Sequence, residues 1–145
     1  MKKLLLILAI AIGAYAAVSY YGGSRPSAVV ESGGNADELL ASAFKQHKSN
    51  VVTEGQGIVV KLLSDDNDGS RHQRFIVRLR SGQTLLVAHN IDLSRRVESL
   101  GVGDTVTFKG EYEWNPAGGV IHWTHADPAG SHPSGWIQHD GTTYQ

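Results

Sequence analysis

Apolar side chains crowd one end of this chain and then settle into periodic patterns. Of the first 21 positions, 17 are hydrophobic, and Leu4 to Tyr21 is interrupted only by Gly13 and Ser19, directly after Lys2 and Lys3. Such a run predicts one of two leaders. A secretory signal would use Leu4 to Gly13 as its apolar segment and Ala14-Tyr15-Ala16 as a small-x-small cleavage site. An uncleaved anchor helix would span the inner membrane with residues 4–21 and set Tyr20 and Tyr21 at the interface. Both readings export the body. It would face the periplasm on its anchor, or be periplasmic or secreted if the leader is cut. No Cys follows the run, which excludes a lipoprotein.

After the leader (1–21), residues 22–34 (GGSRPSAVVESGG) show no sustained period and predict a flexible tether. Residues 35–145 then read as one domain. Asn35 and Glu38 have capping-box spacing, and Ala36, Leu39, Leu40, Ala43 and Phe44 form one apolar stripe, so a helix is expected to end near Lys48. From there the pattern is extended. Strands are expected over Gly57–Leu63, His72–Arg80, Thr84–His89, a segment within 105–114, and Val120–Thr124. In the second of these Phe75, Val77 and Leu79 alternate with His72, Arg74, Arg78 and Arg80. One or two helical turns are expected over Ser94–Leu100, and the tail from Asp127 reads as loop. Five strands with a helical link before the fourth match the order of a small OB-fold-like barrel, here mainly β with one preceding α-helix after the apolar leader. A small β-sandwich is the alternative.

Composition narrows the chemistry. At this length the body supports a single core. Thirteen basic against fourteen acidic residues leave a formal charge of -1 and no electrostatic footprint for nucleic acid. The basic stripe His72, Arg74, Arg78, Arg80 also lacks the aromatic platform that single-strand readers use, so it predicts either a solvated face or a site for a small anionic ligand or envelope component. Asp65 to Gly69 fails the EF-hand pattern, since the twelfth position is Ile76. Glu111 and Glu113, paired on one strand face, read as solvated exterior.

The histidines are the strongest candidate chemistry. There are seven, and no thiols, so a divalent transition metal of the zinc kind could be held only by a His and carboxylate set. His122, His125, His132 and His139 fall close together beside Asp127 and Asp140. His122 and His125 would point to opposite faces of a continuing strand, and would share an ion only if the chain turns before Asp127-Pro128. The candidate metal ligands are His89, His122, His125, Asp127 and His132; the alternative is a packed, hydrogen-bonded loop. Candidate ligand-binding residues are His72, His89, Asn90, Trp123 and Trp136.

Several words are distinctive: Asp65 to Asp68 with His72-Gln73-x-Phe75, His89-Asn90-Ile91-Asp92-Leu93, Gly110-Glu111-Tyr112-Glu113-Trp114-Asn115, Gly118 to His125, Asp127-Pro128 and Gly135-Trp136. In these words the body from about Val51 resembles a bacterial family known as domain of unknown function 3465. The resemblance implies a small exported or membrane-tethered bacterial protein and supplies no catalytic residues. The expectation is therefore a tethered binding or envelope-associated module working through its histidine-rich region. The competing expectation is a metal-dependent hydrolase or nuclease with Asp127 or Asp92 as orienting carboxylate or base.

Overall fold

The computed structural model describes residues 33–145; the apolar leader and the expected tether up to residue 32 lie outside the described residues. One helix, α1 (Gly33–Lys45), precedes seven strands: β1 (Val51–Asp66), β2 (His72–Arg78), β3 (Thr84–Asn90), β4 (Thr105–Glu113), β5 (Val120–His122), β6 (Trp136–His139) and β7 (Thr142–Tyr144). Among the described residues no helix is long and apolar enough to cross a membrane.

The stripe on α1 is as its period predicts: Ala36, Leu40 and Ala43 are buried. Its start differs, because Gly33 and Gly34 are already helical and Asn35 lies in the first turn instead of capping it. The end is a Schellman closure. Lys48 N–H donates to Ala43 O at 2.9 Å and His47 N–H to Phe44 O at 3.2 Å, with His47 left-handed at φ 52°. A non-glycine residue there costs about 1–2 kcal/mol, which the tilted packing of the His47 ring against Trp114, 4.2 Å between centroids, helps to offset.

β1 begins at Val51, six residues before the expected start, and runs for 16 residues. Gly55 and Gly57 are inward positions of a strand bending over the core. A Cβ at Gly55 would meet the Phe108 ring at 2.6 Å, and one at Gly57 would meet Val77 at 3.0 Å. The first half of β1 pairs β4 (Val51↔Tyr112 to Ile58↔Thr105) and the second half pairs β2 (Ile58↔Arg78 to Asp66↔His72), with bulges after Val59 and Leu63.

Five strands thus close a ring of pairings, β1-β2-β3-β5-β4 and back to β1. All the pairings are antiparallel except β3 with β5. Phe75, Val77, Leu85, Val87, Phe108, Tyr112, Ile121 and Ile137 fill its interior without exposure, and Leu40 of α1 joins the same cluster.

Three expectations are corrected here. Residues 94–100 form no helix: Asn90 Oδ1 accepts the Asp92 and Leu93 N–H groups to make a turn, and the chain then crosses the end of the ring. Gln73 holds that crossing by donating to Val97 O at 3.0 Å and accepting Val97 N–H at 2.8 Å. The fifth strand stops at His122, because Trp123 is left-handed at φ 55°. Finally, the tail is a hairpin, β6 against β7, added to the same edge of β4 that carries β5. Its turn, Asp140-Gly141, has φ of 48° and 75°, as a two-residue type I′ connection requires.

Candidate functional site

The left-handed Trp123 lifts the chain off β4, and residues 123–135 make an excursion before β6 resumes pairing at Lys109↔Trp136. The return point is tight. Gly135 N–H donates to His125 O at 2.8 Å, and a Cβ at Gly135 would lie 2.0 Å from Trp123 O and 2.5 Å from Lys109 O. Asp127 organises the excursion by accepting Ser131 Oγ–H and His132 N–H, both at 2.7 Å, and Ala129 N–H at 3.1 Å. These bonds, Ser131 first, lower its carboxyl to about 2.

The candidate histidines are distributed over this region in separate roles. His89 is fully buried: its Nε2–H donates to Arg95 O at 3.0 Å and its Nδ1 accepts Thr124 Oγ–H at 2.8 Å. Burial lowers its pKa to about 4, and no nitrogen lone pair is left for a metal. His72, His125 and His132 each direct Nδ1 at a nearby carbonyl, Ser70 O, Ala126 O and Pro133 O, at 2.7–2.8 Å. His132 stacks on Trp123 with centroids 4.3 Å apart and meets His125 edge-on at 5.1 Å. Burial, with His132 nearby, lowers the pKa of His125. His139 turns away to Asp104 at 2.8 Å. Asn90 is spent on its turn, Trp136 is half-buried in β6, and Asp92 accepts Arg71 Nε–H at 2.7 Å and Arg71 N–H at 2.8 Å.

The expected metal set is therefore not gathered. Among the described residues, the side chains whose ligand atoms lie within 4.8 Å of one another are Glu111, Glu113 and His122. Of the five expected ligands only His122 belongs to that group, because β5 ends there and the following turn carries His125, Asp127 and His132 elsewhere. Glu111 and Glu113 are also not the solvated pair their spacing suggested. Glu111 is 6% exposed, and the Glu113 and His122 side chains retain 15% and 13%. Asn50, left-handed at φ 60°, brings its amide to 3.0 Å from an oxygen of each carboxylate. His122 Nε2 lies 3.7 Å from Glu113 Oε1, buried and without a hydrogen-bond partner.

A second feature is an open cleft of about 560 Å³ at the end of the ring, lined among others by Leu62, Leu63, Arg74, Arg96, Val97 and Leu100. Arg74 Nε–H donates to Ser64 O at 3.0 Å and one Arg96 amine binds Asp65, so each guanidinium has further N–H groups. Arg74 belongs to the basic stripe read from the sequence; Arg96 does not, and its approach depends on the crossing pinned at Val97.

A family model described as protein of unknown function (DUF3465) matches residues 26–145. No curated protein matches the chain.

Proposed function

We propose that this chain, which belongs to the DUF3465 family of proteins of unknown function, is an exported, membrane-tethered binding module that holds a small anionic envelope component in the cleft beside β2. The apolar leader with its double Lys supports export and tethering. The ring order, with β1 shared between β2 and β4 and a parallel β3·β5 contact, supports an OB-fold barrel, an architecture that presents ligands on one side of its early strands.

The observation that carries the reading is the pairing of two guanidiniums, Arg74 and Arg96, with the apolar wall of Leu62, Leu63 and Leu100. Planar N–H donors suit phosphate or carboxylate oxygens, and the leucines suit a short aliphatic portion attached to them. The cleft is of the size that small ligands occupy.

Glycerol phosphate in solution, and vesicles of phosphatidylglycerol against phosphatidylcholine, test this with the full-length chain. Binding to the anionic probe, weakened by salt and lost in both Arg74→Ala and Arg96→Ala, is the expected result. Absence of binding to every anionic probe would overturn the proposal. So would binding that survives both arginine changes and disappears on His125→Ala, which would move the site to the histidine excursion.

A further inference from the structure

We infer that Asn50, Glu111, Glu113 and His122 form a site for a divalent transition ion of the zinc kind, clamping the corner where β1, β4 and β5 meet. It shares no residue with the cleft.

The residue types come first. Two carboxylates and an imidazole are zinc or manganese ligands, and a side-chain amide oxygen can complete the set. Register brings them together. Glu111 is the pairing partner of His122 across β4 and β5, Glu113 is two residues along the same face, and Asn50 directly precedes β1, whose Val51 pairs with Tyr112.

The separation of His122 from Glu113 is that of two ligands of one ion. Atoms about 2.1 Å from one tetrahedral ion stand roughly 3.4 Å apart. The Asn50 amide lies at hydrogen-bond distance, 3.0 Å, from both carboxylates, whereas His122 Nε2 lies 3.7 Å from Glu113 Oε1. A charged hydrogen bond would be shorter, about 2.7–2.9 Å.

His122 Nε2 supplies an independent observation. It is buried, unpartnered, and directed at the carboxylates. An orphaned buried nitrogen is costly, and a cation bound between it and the Glu113 carboxylate resolves it. In the metal-free protein the Asn50 nitrogen donates to both carboxylates. On loading, the amide turns its oxygen inward. With zinc, four protein ligands would leave no open position, which makes the site structural and separates it from metal-dependent hydrolysis.

Equilibrium dialysis and thermal unfolding of the full-length, tag-free chain, stripped with chelator and then given zinc chloride or manganese chloride, test the assignment. The expected result is one ion per chain and a Tm raised by several degrees. Glu113→Gln should lose both effects and keep its fold, whereas His125→Ala and His132→Ala should keep both. Should Glu113→Gln fail to fold, the imidazole nitrogen resonances of the unaltered chain decide: zinc must shift those of His122. No stoichiometric binding of either ion would overturn the proposal. Binding retained in folded Glu113→Gln, or zinc shifts confined to other histidines, would overturn it equally.

Discussion

His89 ties a single ring to the stability of the molecule. Its two nitrogens join β3 to Arg95 on one side and to Thr124 on the other, which explains why a residue of this type sits in a fully buried position. Its pKa in the fold is lowered to about 4, while the unfolded chain keeps the ordinary value near 6.5. The contribution is therefore complete above about pH 6.5 and is lost as pH falls from there towards 4, because the unfolded state takes the proton first. The separation corresponds to roughly 3 kcal/mol. Denaturant unfolding between pH 7 and 4.5 should show this decline, and His89→Gln should make it shallower while lowering stability at pH 7, with His125 supplying part of the remaining slope. An unchanged slope in the variant would mean that another group titrates. Asp127 acts in a separate window: its carboxyl is lowered to about 2, so its ordering of the excursion is lost only below the usual carboxylate range. His89 drew attention in the sequence through the word around it, but its role was not legible there, since Thr124 is 35 residues away.

Among the elements, periodicity carried what lies within one strand and failed where a neighbour decides. The alternation of Phe75, Val77 and Leu79 is buried as read, and so is the stripe on α1. The start of β1 was hidden because Gly55 and Gly57 are small for the sake of Phe108 and Val77 on other strands. The β6–β7 hairpin, read as loop, did carry a local signal: Asp140-Gly141 between Trp136-Ile137-Gln138-His139 and Thr142-Thr143-Tyr144 suits a type I′ turn, masked by the Gly and Pro content ahead of it. Glu111 and Glu113 read as exterior because nothing local foretells that Asn50 folds over them. Gly135 gives the excursion its sharpest test. Gly135→Ala must displace backbone at Trp123 and Lys109, and a loss of about 3 kcal/mol or more is expected in denaturant titration. A neutral effect would show that the loop re-enters the sheet differently.

For the molecule as a whole, the shared strand β1 decides whether five strands behave as one unit. Because its first half pairs β4 and its second half pairs β2, opening either seam disturbs the other. Amides of Val51–Ile58 and Thr105–Tyr112 should therefore exchange with solvent at a common, slow rate near that of global unfolding, and residues 126–134 much faster. Early, independent exchange along the β1·β4 seam would mean that the ring opens in solution.

Left-handed backbone at His47, Asn50 and Trp123 has a consequence for how this sequence can vary. Glycine adopts that geometry with least strain, so drift acting on the backbone alone would favour it at all three places. Each present side chain has an errand glycine could not run: one ring braces Trp114, one amide reaches two acidic groups, and one indole shelves the ring of His132. Relatives that do carry glycine at one of these bends should have changed what it served as well, so His47 with Trp114, Asn50 with Glu111 and Glu113, and Trp123 with His132 are where correlated substitution across the family is expected.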